Sequence, residues 1–181
     1  LFRAMGAYAE AVPFATRALE IREATLGDNH PDTALNLNSL AGLYVHIGAY
    51  AKAEPLYRRA QAINEKALGH EHPLTAQSLN NLAVLYYSMG AYAKAEPLNT
   101  RALSIYDKAL GPEHPATARS QQNLATLNWN QGDLTKAQQL LSSARRITEI
   151  NASRVLLTGS EQRRRQYLGT LTIAADVSFS L

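Results

Sequence analysis

Apolar residues along this chain recur at spacings of three and four, and the whole pattern returns every 42 residues. Leu37, Leu40, Ala41, Tyr44 and Ile47 mark one face of a helix expected from about Pro31 to Ile47. Pro31 suits its first turn, where a missing N–H leaves nothing unpaired, and Gly48 suits its end, where the left-handed conformation is free of strain. A second helix is expected from about Tyr50 to Ala67, with Ala53, Leu56, Ala60, Ile63 and Ala67 on one face. Pro55 lies near its start; within the first turn it costs little, and further in it kinks the helix. We call these helices A and B.

The repeat is also literal. Gly-Ala-Tyr-Ala-Lys-Ala-Glu-Pro-Leu stands at Gly48–Leu56 and again at Gly90–Leu98, with looser copies from Gly6 and Gly132. A second anchor, Gly-x-x-His-Pro-x-Thr-Ala, begins at Gly27, Gly69 and Gly111. A fixed period of this size predicts a solenoid, in which no unit buries its apolar face alone and each depends on its neighbours. Ala41, Ala53 and Ala60, with Ala83, Ala95 and Ala102 one unit on, let helices approach closely.

The units run 1–26 (partial), 27–68, 69–110 and 111–150. Leu1–Met5 matches only the end of a helix A. The fourth unit departs from the pattern: Asn128 replaces tyrosine, Asp133-Leu134 replaces Ala-Tyr, and Gln139 replaces proline. Residues 151–181 leave the period and are expected to form a capping or linker helix, opened by Ser160, Glu161 and Gln162, with Tyr167, Leu168, Leu171, Ala174 and Ala175 on its apolar face.

Composition narrows the function. The 181 residues carry a net charge of +3, too little to argue for nucleic acid or a membrane surface. No apolar run is long enough to span a bilayer. The absence of cysteine excludes disulfides, cysteine-based zinc sites and a cysteine nucleophile in this chain, and fits a reducing, cytoplasmic setting. The chain starts on Leu1 inside a repeat and reads as a fragment of a longer protein.

Leu40-Ala41-x-x-Tyr44, Gly48-x-Tyr50-x-x-Ala53 and Tyr57-x-x-Ala60 together resemble the tetratricopeptide repeat (TPR). The 42-residue length, the Gly-x-x-His-Pro-x-Thr-Ala loop and Leu79-Asn80-Asn81-Leu82-Ala83 are similar to the array of kinesin light chains and their bacterial relatives. The resemblance covers about residues 4–150. It implies an all-α, right-handed superhelical solenoid of antiparallel helix pairs, closed by the C-terminal non-repeat helix, with helix A lining a concave groove that takes a peptide or a partner protein.

Comparison of the second and third units shows where such a partner would lie. They differ on helix A at Leu35/Gln77, Ser39/Asn81, Gly42/Val84 and His46/Ser88, which form one stripe. Residues that hold the stack must repeat because the joint repeats, so the variable stripe points away from it. Asn38, Asn80, Asn81, Gln122 and Asn123 make a ladder of amides, each both donor and acceptor and so matched to an extended peptide backbone. The alternative is that these amides solvate the helix face or link adjacent helices. Tyr87 and Trp129 lie along the same side as aromatic anchors, Trp129 being equally suited to pack on the tail helix. Arg119 is the only charge on the third copy of the stripe and suits a carboxylate.

Other chemistry is weaker. His30, His72 and His114 sit one per unit, too far apart to share an ion, and each is expected to shape the loop before its proline. Arg163, Arg164 and Arg165, with Arg145, Arg146 and Arg154, make the C-terminal end basic, which reads as a solvated face rather than a phosphate site. There is no phosphate-binding glycine loop and no nucleophile elbow. The expectation is therefore a binding scaffold, not an enzyme, with no cofactor and no metal. Two alternatives stand beside it. Val155–Gln162 and Tyr167-Leu168 resemble the segment joining bacterial TPR arrays to caspase-like (CHAT) proteases, which would make this a sensor segment, and exposed repeat ends would allow weak self-association.

Overall fold

A computed structural model describes residues 2–158. The expected tail helix over 151–181 therefore lies largely outside the described residues, as do its cap at Ser160 and its protease-linker motif. The described residues form α1 (Phe2–Leu26), α2 (Pro31–His46), α3 (Tyr50–Leu68), α4 (Pro73–Ser88), α5 (Tyr92–Leu110), α6 (Pro115–Gln131) and α7 (Leu134–Thr158). Each helix packs on the next along the chain, giving an all-α solenoid of antiparallel pairs. Helices A are α2, α4 and α6; helices B are α3, α5 and α7.

The stack is tighter on one side. Among the described elements α2 touches α4 and α4 touches α6, whereas α3, α5 and α7 make no such approach to one another. Three rungs of alanine explain the close joints: Ala41, Ala83 and Ala125, then Ala53, Ala95 and Ala137, and finally Ala60, Ala102 and Ala144 are all fully buried. Leu82, Leu85, Tyr57 and Tyr86 fill the space around the central rungs. The side of α2, α4 and α6 is thus the inner, concave side. Ala67, expected on the apolar face of helix B, is exposed.

The loops are built identically. Gly27, Gly69 and Gly111 take φ near 90°, and their carbonyls accept from the hydroxyls of Thr33, Thr75 and Thr117 at 2.8–2.9 Å. His30, His72 and His114 are N-caps: each Nδ1 accepts from the backbone N–H two residues on, at 3.1 Å. That is the physical content of the Gly-x-x-His-Pro-x-Thr anchor. Helices α2, α4 and α6 end in a matching clasp, where the N–H groups of Ala49, Ala91 and Asp133 reach back to the carbonyls of Tyr44, Tyr86 and Asn128 around glycines of positive φ.

One feature departs from the repeat pattern. Gly6 does not turn the chain, and α1 runs through it from Phe2. At the corresponding places in the other units Gly48, Gly90 and Gly132 take positive φ and the helix ends. Pro55 and Pro97 lie in the second turn of α3 and α5, which continue past them to Leu68 and Leu110. Helix α7 crosses residue 150 without a break, and Asn151 and Arg154 tie it to Glu113 in the preceding loop.

Candidate functional site

The variable stripe lies on the inner side, outside the core. Leu35, Ser39, His46, Val84, Ser88, Arg119 and Thr126 are exposed, and Gln77, Asn81 and Asn123 are half-buried. The amides of the ladder divide into two kinds. Asn38 and Asn80 are buried, at 9% and 3% exposure, and their Oδ1 atoms accept from Nδ2 of Asn81 (3.4 Å) and Asn123 (3.0 Å) in the following unit. Asn38 Nδ2 also donates to Ser78 Oγ at 3.2 Å. The ladder is therefore a chain of links between neighbouring A helices, and it fixes the orientation of the two outer amides. Gln122 occupies the same register in the last unit and is exposed.

The remaining expected residues fall in separate places. Tyr87 is half-buried; its hydroxyl accepts from Asn130 Nδ2 at 2.9 Å and its ring leans on Tyr92 at 5.5 Å. It shares a cavity of about 280 Å³ with Asn123, Val84, Ser88, Thr126 and Asn99. Arg119 and Gln122 line a second cavity of about 280 Å³ with Ala118 and Ile147. Burial raises the pKa of the Tyr106 hydroxyl, while the positive Arg119 guanidinium and its hydrogen bond pull it the other way. Trp129 is 61% exposed and sits apart, over a hollow lined by Leu134, Gln138, Leu141 and Arg145. So Tyr87 and Asn123 come together, as do Arg119 and Gln122, and Trp129 joins neither pair.

Asn99 is the residue that the sequence reading passed over. It stands on helix B at the register of Tyr57, and the exchange is visible in Leu56-Tyr57 against Leu98-Asn99. It lies on helix B, outside the variable stripe of helix A.

The charges on helices B are engaged across the joints. Glu54 Oε1 accepts from the Tyr86 hydroxyl at 2.7 Å and from Arg58 Nε at 2.9 Å, and Arg59 and Arg101 pair with Glu23 and Glu65 of the preceding units. The Tyr86 hydrogen bond, then that of Arg58, holds the Glu54 carboxyl below its ordinary pKa. Among the described residues no group of histidines and carboxylates could hold a metal ion, and no helix is long and apolar enough to cross a membrane.

This architecture has known counterparts. The family profile described as Tetratricopeptide repeat matches residues 1–66, 35–108 and 92–150. The chain belongs to the tetratricopeptide repeat family. Among curated protein sequences none matches it. Among solved structures this TPR array is similar to BtubC (BKLC) from P. vanneervenii, at 26% identity and a TM-score of 0.72, covering 80% of this chain and 58% of that one. The chain thus spans little more than half the length of that relative. It is also similar to the nearly identical TPR-like repeats of a kinesin light chain-type protein from Podosopora anserina, at 31% identity and a TM-score of 0.64, covering 83% of this chain and 71% of that one. The apo form of RapI shares the fold, with a TM-score of 0.71 at 20% identity over 97% of this chain and 68% of that one. The TPR fold is that of a protein-interaction scaffold, and the array described above is of the kinesin light chain type.

Proposed function

We propose that this TPR array binds a peptide or a segment of a partner protein along its inner side, across α4 and α6. The observation that carries this reading is the coincidence of three properties on one surface. The stripe varies between units whose joints repeat, it is exposed or half-buried, and it borders a cavity holding Tyr87 and Asn123. In this reading Asn81, Asn123 and Gln122 offer amides to the ligand backbone, Tyr87 packs on its side chains, and Arg119 pairs with a carboxylate. Asn38 and Asn80 act through the others, by holding Asn81 and Asn123 in place. Trp129 extends the surface beyond the groove.

Selection from a displayed random-peptide library tests the proposal. Peptides recovered on the native chain should lose binding to Tyr87→Ala and Val84→Lys variants, each with unchanged helical content. A Lys108→Ala variant on helix B should bind as before. Peptides that ignore the inner variants and respond to the outer one would overturn the reading. Asn80→Ala is a poor probe, since its loss loosens the joint before it alters any contact surface.

A further inference from the structure

The last repeat leaves open a face that is covered in the units before it. In the second unit Asn38 and Asn64 lie under α4, whose Ser78 Oγ accepts from Asn38 Nδ2 at 3.2 Å and from Asn64 Nδ2 at 3.0 Å. In the third unit the same registers hold Asn80 and Tyr106, which lie under α6 and bond to its Asn123 and Arg119. In the fourth unit they hold Gln122 and Thr148, and both are exposed. Between them is the cavity of about 280 Å³ that Ala118 and Ile147 also line. It stands where the next A helix packs in the earlier units, and none of the described helices covers it.

The two covered copies define what fits. Helices α4 and α6 have 16 and 17 residues, and each follows its B helix after four residues. Ser78, Leu82 and Leu85 on α4, and Ser120, Leu124 and Leu127 on α6, are all buried and are spaced by four and three. Ser78 holds the two asparagines, and Leu82 and Leu85 pack with Ala41, Ala53 and Tyr57 of the unit before. Residues 159–181 are long enough for such a loop and helix, and Tyr167, Leu171 and Ala174 repeat the same spacing, with Leu168 and Ala175 beside them. In a second copy α2, α4 and α6 are already held between B helices, so none is free to take this place.

Helix α7 sets the register. It runs to Thr158, six residues past the register at which α3 and α5 stop, and its extra turns leave Leu156 and Leu157 39% and 78% exposed. A segment returning antiparallel from Gly159 lies first along these turns and then over the cavity. The overrun displaces it outward by about 9 Å at 1.5 Å per residue, so residues 159–181 reach Gln122 and Thr148 and stop short of Trp129 and Leu134.

From this we infer that residues 159–181 dock as a further A-type helix on the open face of α6 and α7, with Tyr167, Leu168 and Leu171 over the cavity. The segment turns Gln122 into a link of the kind made by Asn38 and Asn80. Arg119 stays on the inner side, since Leu35 and Gln77 at its register keep contact with solvent beneath α4 and α6. Tyr87, Asn81 and Asn123 are untouched, so this inference stands or falls separately from the groove.

The test is a single nitroxide label on the full chain at Thr170→Cys, which is unambiguous because the chain has no other cysteine. The expected result is strong paramagnetic broadening of the backbone amides of Gln122 and Thr148, and much weaker broadening at Trp129 and Leu134. Adding Leu168→Asp and Leu171→Asp should remove it, with the amide shifts of α2 to α5 unchanged. A mixture of isotope-labelled chain without nitroxide and nitroxide-labelled chain without isotope should show no broadening. Signals at Gln122 and Thr148 that are not broadened overturn the proposal, as does broadening centred on Trp129 or broadening that survives the two aspartates. Equal broadening in the mixture also overturns it, since the segment then comes from a second copy.

Discussion

The second and third units differ little in their joints and much in what lies between them. Their loops carry the same histidine cap and threonine–glycine bond, and their alanine rungs are equally buried. Between those fixed points one unit places Tyr57 against Gly42 and the other places Asn99 beneath Val84. The first arrangement fills the interior with an aromatic ring, and the second leaves an unpaired amide at the edge of a cavity. The contrast separates two demands on a repeat. The positions that set the spacing of units cannot change independently, whereas a position between them can give up packing and gain an opening.

Exchanging the two arrangements gives the largest expected effect. Tyr57→Asn should destabilise the array by about 3 kcal/mol in chemical denaturation, since it removes a buried ring and buries an amide in its place. An unchanged midpoint would mean that the ring contributes no packing. The reverse exchange, Asn99→Tyr with Val84→Gly, should raise stability by about 1 kcal/mol, the gain from closing the cavity exceeding the helix cost of glycine. A loss of stability there would show that the units are not interchangeable at this register.

The shared loops set a control of smaller size. His30→Ala, His72→Ala and His114→Ala should each cost about 1 kcal/mol, and asparagine at the same positions should restore most of it. Equal costs in the second and third units would confine the difference between them to the interior. Smaller still is a difference in alkaline response. Burial pushes the Tyr57 hydroxyl up to about 12, above its ordinary value of 10.0. Its neutral form therefore stabilises the fold fully below about pH 10, and that contribution is lost as pH rises towards 12. Tyr57→Phe should flatten this part of the stability profile, and an unaltered profile would count against the buried hydroxyl. At the acid end the sign is opposite. The lowered Glu54 carboxyl stabilises the fold above its ordinary range, so Glu54→Gln should converge with the native chain as pH falls.

Much of this was legible from spacing alone. The ends of α2 and α3 fall within a residue of the positions set by Pro31, Gly48 and Gly69, because proline and glycine constrain the backbone locally. The amide ladder was visible as a set of asparagines, but its division into buried links and outer amides was not. Asn38 and Asn81 stand at neighbouring registers, and only the packing of one unit on the next decides which of them faces inward. Gly6 holds the glycine register of the repeat yet lies within α1, since a glycine permits a turn without enforcing one. Asn99 stands on helix B, away from the stripe of helix A in which variation signals an exposed face. A tyrosine replaced by a smaller polar residue in an otherwise repeated segment is the signal to look for.

The central claim is that the inner side of α4 and α6 is the contact surface. Hydrogen–deuterium exchange of the chain with and without a library-selected peptide tests it most directly. The account predicts slowed exchange on binding at residues 84–88 of α4 and 123–126 of α6, with α3 and the outer face of α5 unchanged. Protection confined to the B helices, or to the exposed end around Trp129 and Leu134, would contradict it.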